Sequence, residues 1–186
     1  LGDGITPHRL IDDLHIVPGL WKIDGYTAIA RSLQRAWQLT PGKNYFEFPY
    51  DWRRSNVVAA RRLQRESAEW LRGWRRSSGN KDAKLIFLAH SMGGLVVRWF
   101  AECLDGWRDT RLLVSFGTPY RGSLNAVSFV CNGMKKSIGP VELIDLSNLL
   151  RSMTSVYQLL PIYPCIDNGG GALVRAGEAR GLPNMD

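Results

Sequence analysis

The sequence predicts an α/β fold, a parallel sheet flanked by helices. Three observations carry that expectation. Strand-like and helix-like runs alternate through the first 122 residues. Two strand-like runs, 84–88 and 110–116, are apolar without a two-residue alternation, as expected of strands buried on both faces. Between the first of these and the helix-like run 95–101 lies a turn of small residues around a serine, Ala89-His90-Ser91-Met92-Gly93-Gly94.

Taken in order, 14–17 (Leu-His-Ile-Val) is a short extended run stopped by Pro18-Gly19. Residues 26–39 place Ile29, Leu33, Ala36 and Trp37 at helical spacing, and Pro41-Gly42 breaks the run. Residues 44–48 are a strand candidate leading into Pro49-Tyr50-Asp51-Trp52-Arg53. Ser55 can cap a long helix reaching about Ser78, with Ala60, Leu63, Ser67, Trp70, Leu71 and Trp74 on one face and most arginines on the other. The strand, turn and helix around Ser91 follow, then the strand 110–116, ending in Gly117-Thr118-Pro119. Ser91 and Gly117 both fall at carboxyl ends of strands, where sites in parallel sheets lie. After Gly122 the alternation stops. Residues 141–150 and 153–160 read as apolar helical patches with no clear new strand, and Asn168-Gly169-Gly170-Gly171 reads as a linker. The expected division is a partial core over 1–122, a cap or lid over 123–164, and a linker or the start of a further part over 165–186.

Composition narrows the classes. Hydrophobic residues make up 45% and charged residues 22%, an ordinary globular balance. No apolar run is long enough to cross a bilayer. The first residues lack the basic start and apolar stretch of a signal peptide, but the chain has no initiator Met, so an upstream signal stays open. The formal charge is +7, and its excess lies largely between Arg53 and Arg76, where there are eight arginines. A solvated helical face accounts for most of that excess; an anionic surface or an acidic protein is the alternative partner. No nucleic-acid motif accompanies it. Cys103, Cys131 and Cys165 lack metal-site spacing, and neither a metal nor a cofactor is expected. Cys103 is expected to be small and buried. Pairing of Cys131 with Cys165, which would suggest an exported protein, is left open.

The serine turn names a chemistry. A serine hydroxyl is a weak nucleophile until a base takes its proton. A sharp strand-to-helix turn projects it from the sheet, and the residues two before and two after it must be small; here they are Ala89 and Gly93. Ser91 is the candidate nucleophile. The backbone N–H of Met92, at a helix start, is the candidate oxyanion donor. His90 reads as a packing or hydrogen-bonding residue rather than the base. The bland alternative, a Ser-Met-Gly-Gly connection without chemistry, is weakened by the flanking strand and helix.

Several segments then agree. Val17-Pro18-Gly19, Phe48-Pro49-Tyr50-Asp51-Trp52-Arg53, Ala89-His90-Ser91-Met92-Gly93-Gly94 and 115–123 (Ser-Phe-Gly-Thr-Pro-Tyr-Arg-Gly-Ser), with Leu159-Leu160-Pro161 as a further short match, occur in this order. In these segments the chain resembles the lecithin:cholesterol acyltransferase-like branch of the α/β-hydrolases, which includes lysosomal phospholipase A2. The Pro-Tyr-Asp-Trp-Arg segment discriminates, since many hydrolases share the serine motif. The resemblance implies an α/β-hydrolase core with part of a helical cap, and a serine esterase, lipase or acyltransferase acting on a lipid-like ester. Ser91 would be the nucleophile and the Met92 N–H one oxyanion donor. Asp51 and Arg53 would shape the surroundings of the site, and Gly122-Ser123 would turn into the cap.

Parts of that pattern are missing. In this fold the triad partners follow the serine, acid first and then histidine. His8, His15 and His90 all precede Ser91, and Asp105, Asp109, Asp145, Asp167 and Asp186 lack the strand-end context of the acid. The strand that would supply the second oxyanion donor is also absent before Leu14. The core is therefore read as incomplete at both ends. The chain is a piece of a cleaved hydrolase, the ordered part of a longer protein, or a degenerate member. The first two are favoured, because a strained turn without use would have no reason to persist. Acid and base would then come from the remainder of the protein. A non-catalytic module working through the arginine-rich helix is the alternative.

Overall fold

The computed structural model describes residues 4–10, 14–17, 21–23, 25–133, 135–138 and 141–179. It is a mixed α/β structure, and among the described residues its parallel sheet has two strands. The chain begins with an antiparallel hairpin, β1 (Leu14–Val17) and β2 (Trp21–Ile23). Pro18 and Gly19, part of the Val17-Pro18-Gly19 segment, lie outside the described residues. Helix α1 (Thr27–Ala36) follows.

Residues 44–48 do not form the expected strand. A single bridge joins Pro41 to Tyr45, and the chain from Phe46 to Tyr50 is irregular. The ring of Phe46 stacks on Trp70 at 4.8 Å between centroids, and Phe48 meets Trp70 edge-on at 6.4 Å. The alternating aromatics are thus spent on a helix, and among the described residues no neighbouring strand offers a ladder.

Helix α2 (Asn56–Ser78, 23 residues) is capped as its sequence implies: Ser55 Oγ accepts from the Val57 N–H at 3.3 Å. Gly79, in the left-handed region at φ 72°, ends it. Its Ala60, Leu63, Ser67 and Leu71 are buried. Strand β3 (Leu85–His90), helix α3 (Gly93–Cys103) and strand β4 (Thr110–Phe116) come next. Strands β3 and β4 pair in parallel, Leu88 beside Val114 and His90 beside Phe116. Ala59, Ala60 and Leu63 of α2, Val96, Val97 and Phe100 of α3, and Ala89 of β3 form one buried cluster, with Phe87 and Leu113 packed against it.

Both helices lie on the Phe87–Ala89 face of the sheet. The opposite face stands open, with Ile86 55% and Leu112 50% exposed, and Leu88 and Phe116 exposed beside them. The expectation of strands buried on both faces is therefore corrected to one covered face among the described residues. Cys103 is also exposed rather than buried. It ends α3, and Leu104 takes the place against the cluster.

After Gly122 the structure departs most from expectation. Helix α4 (Leu124–Asn132), capped by Ser123, is followed by an antiparallel hairpin, β5 (Lys135–Ile138) and β6 (Val141–Asp145), where the sequence predicts no strand. The run 141–150 splits into strand and helix because the Asp145 carboxylate accepts the Ser147 N–H at 2.8 Å and starts α5 (Ser147–Arg151). Helix α6 (Thr154–Tyr157) follows. Val130, Leu150, Met153 and Val156 make a second buried cluster. Residues 168–171 form the turn between β7 (Ile166–Asp167) and β8 (Leu173–Val174), tied by Gly169 N–H to Asp167 at 2.8 Å. Cys131 and Cys165 are free thiols. No helix among the described residues is long and apolar enough to cross a membrane.

Candidate active site

Ser91 sits between the last residue of β3 and the first turn of α3, with φ at 51°, a region an L side chain enters only at a cost. Its backbone N–H donates to the Phe116 carbonyl at 2.8 Å, so the end of β4 holds the turn in place. Its carbonyl accepts from Gly94 N–H at 3.1 Å, which starts α3. Ala89 before the turn is buried, and a larger residue there would displace the cluster beneath the sheet. A Cβ on Gly94 would overlap the Thr118 side chain, so only glycine lets α3 approach the end of β4 this closely. The Met92 and Gly93 N–H groups have no hydrogen-bond partner among the described residues, and they stand at the positive end of α3. The hydroxyl of the half-buried Ser91 is likewise without a partner there.

His90 turns away to α1. Its Nδ1 and the Tyr26 hydroxyl share a hydrogen bond of 2.8 Å, and the two rings meet edge-on with centroids 5.9 Å apart. Tyr50 is the residue that sequence reasoning misses. A Cβ placed on Gly93 would lie 3.9 Å from its hydroxyl, which puts that hydroxyl beside the first turn of α3. Burial, with a smaller contribution from the nearby Tyr26, pushes the Tyr50 phenol up to about 12, so it stays a donor at neutral pH. The one signal for it is its place in the Pro-Tyr-Asp-Trp-Arg segment; Tyr26 leaves none.

Asp51 and Arg53 form a two-pronged pair, Nε to Oδ1 at 2.8 Å and a terminal nitrogen to Oδ2 at 2.9 Å, and Arg53 N–H adds a bond to Oδ1 at 3.1 Å. Hydrogen bonding from Arg53 holds the Asp51 carboxyl below its ordinary 3.8. Arg62 of α2 donates to the Pro49 carbonyl and lays its guanidinium over the Phe48 ring at 4.4 Å. The loop is fixed from both ends. Gly122, at φ 90°, lies so close to Leu160 and Pro161 that a Cβ would strike their backbone, and Ser123 N–H donates to the Leu159 carbonyl at 2.7 Å. Gln158 then accepts from Asn56 N–H at 2.7 Å and donates to Ser55 at 3.0 Å, so this segment reaches the start of α2 next to the Asp51 loop.

The other titratable candidates lie elsewhere. Asp109 pairs with Arg75 at 2.9 Å and Asp105 approaches Arg108 at 3.6 Å. Asp145 and Asp167 bind local backbone N–H groups, and Asp186 lies outside the described residues. His8 is exposed near the start, and His15 lies in β1. No described group of three or more His, Cys, Asp or Glu could hold a metal ion. A hollow of about 240 Å³ opens between α1 and Glu47, lined by Tyr26, Ala30, Arg31 and Gln34, and Ser91 is not among its lining residues.

Set beside known proteins, residues 20–177 match the family model "Lecithin:cholesterol acyltransferase". The chain belongs to the lecithin:cholesterol acyltransferase family. A curated relative, "Lecithin-cholesterol acyltransferase-like 4" of Arabidopsis thaliana, is 31% identical over 67% of this chain and 24% of its own length. The chain thus spans about a quarter of the length of that relative.

Proposed function

We propose that this chain carries the nucleophile half of a serine acyl-transfer site for lipid-like esters. In this reading a partial α/β-hydrolase core over 1–122 is followed by a cap segment over 123–164 and a linker or the start of a further part over 165–186. Membership of the lecithin:cholesterol acyltransferase family supports the substrate class. The observation that carries the mechanism is the strained Ser91 turn, φ 51°, with the Met92 N–H beside it unpartnered among the described residues.

The Ser91 Oγ attacks the ester carbonyl while a histidine from the remainder of the protein takes its proton. The carbonyl oxygen gathers negative charge, and the Met92 N–H donates to it at the positive end of α3. The tetrahedral intermediate collapses, the C–O bond to the alcohol breaks, and the same proton leaves on that alcohol. The acyl group stays on Ser91 until water or a second alcohol accepts it. Asp51 and Arg53 shape the rim by locking their loop.

The test is labelling of the full-length protein with a fluorophosphonate. A covalent adduct on Ser91, lost in Ser91→Ala, is expected; a folded protein with no adduct at Ser91 overturns the reading.

A further inference from the structure

The arginines of α2 divide into two kinds. Arg62 and Arg75 turn toward the body of the protein and are engaged: Arg62 with Glu66, Pro49 and Phe48, Arg75 with Asp109 and the Ala83 carbonyl. Arg61, Arg65, Arg72 and Arg76 are exposed, and none has an ion pair, hydrogen bond or ring contact among the described residues. Their spacing puts them in register. At 3.6 residues per turn the four fall within an arc of about 60°, in a straight row about 22 Å long. One acid, Glu69, borders the row and is itself unpaired among the described residues. The small, exposed Ala68 borders it on the other side, so no bulky side chain stands between the row and a flat surface. Val58, also exposed, continues the row at its N-terminal end.

Unpaired guanidiniums in a straight row on a rigid helix suit a flat layer of phosphates, each able to take two parallel N–H bonds. A protein partner would need an apolar centre to the patch, and the row offers only Val58 at one end and the methyl of Ala68. A nucleic acid would gain from aromatic rings beside the charges, but Trp70 and Trp74 of α2 are half-buried on the other face. We propose that this face of α2 is a membrane-docking surface for anionic phospholipid. It stands independently of Ser91 and goes beyond the acyl-transfer reading, which supplies only the reason an enzyme of lipid esters would need such a surface.

The test is co-sedimentation of the full-length protein with vesicles of phosphatidylcholine alone and of phosphatidylcholine with phosphatidylserine, at low and high salt. Binding should favour the anionic vesicles and weaken with salt. Arg65→Gln should weaken it about fivefold, and replacing all four arginines with glutamine by more than about a hundredfold. The matching lysine variants should keep most of the binding, since charge is the larger part of what the surface reads. An unchanged thermal melt and unchanged fluorophosphonate labelling of Ser91 in free solution show that the glutamine variant folds. Equal binding to both vesicles, or anionic binding that survives the four-fold replacement, overturns the proposal. A protein that never labels at Ser91 but still sediments with anionic vesicles in an arginine-dependent way upholds this surface and loses only the acyl-transfer reading.

Discussion

Among the described residues two clusters of buried apolar side chains stand out, and the two differ in what they hold. The first cluster, with Leu63 of α2, Ala89 of β3 and Phe100 of α3, lies beneath the Ser91 turn and fixes both the strand that enters it and the helix that leaves it. The second, Val130, Leu150, Met153 and Val156, joins short helices after Gly122 and holds no candidate catalytic group. Links between the two regions run from Gln158 to Asn56 and Ser55 and from the Ile162 N–H to the Arg121 carbonyl. A long helix packed on a parallel strand pair keeps the strained turn in place, whereas the second cluster supports no such turn.

The sharpest way to break this comparison is Phe100→Ala. Phe100 is 3% exposed and meets Phe87 edge-on at 5.5 Å. Removing the ring should cost about 3–5 kcal/mol and take Ser91 labelling with it. Met153→Ala, from a side chain 2% exposed, should cost about 2–5 kcal/mol but leave labelling in place at temperatures where the first cluster is still folded. Thermal melts followed alongside labelling check both; if labelling falls in step with the second cluster, the two are one cooperative unit and the distinction fails.

The same division explains what is legible in the sequence. Helix α2 is readable because Ser55 caps it and Leu63, Ser67 and Leu71 recur at helical spacing. The turn at Ser91 is readable because small residues flank the serine between an apolar run and a helical one. The hairpin β5–β6 is not, since Val141 to Asp145 is too short to separate strand from helix by periodicity. The open face at Ile86 and Leu112 is also hidden: an apolar strand looks the same whether or not a neighbour covers it. Tyr50 escapes notice because nothing local distinguishes a packed tyrosine from one whose hydroxyl reaches a helix start.

Gly94→Ala sharpens the comparison within the first region. The added Cβ meets the Thr118 side chain, so α3 must move off the end of β4 or Thr118 must turn. The expected cost is about 1–3 kcal/mol, with slower labelling of Ser91 because the Met92 N–H moves with the helix. Unchanged labelling kinetics, with a lowered melting temperature, would place the glycine's role in packing alone.

The smallest effect concerns the loop beside the turn. The Asp51 side chain is 12% exposed and paired with Arg53 at 2.8 Å, and hydrogen bonding from Arg53 holds its carboxyl below 3.8 in the folded protein. A carboxyl lowered on folding stabilises the protein above its unfolded value and loses that contribution as pH falls through the folded value. Asp51→Asn should therefore be less stable than the parent at neutral pH, and the two urea midpoints should converge as the pH drops from about 5 toward 2. Ser91 labelling at neutral pH should slow only modestly, since the carboxylate fixes the loop without touching the nucleophile. Midpoints that keep a constant separation across that range would mean the pair contributes nothing through its charge, and that the loop is held from Arg62 and α2 alone.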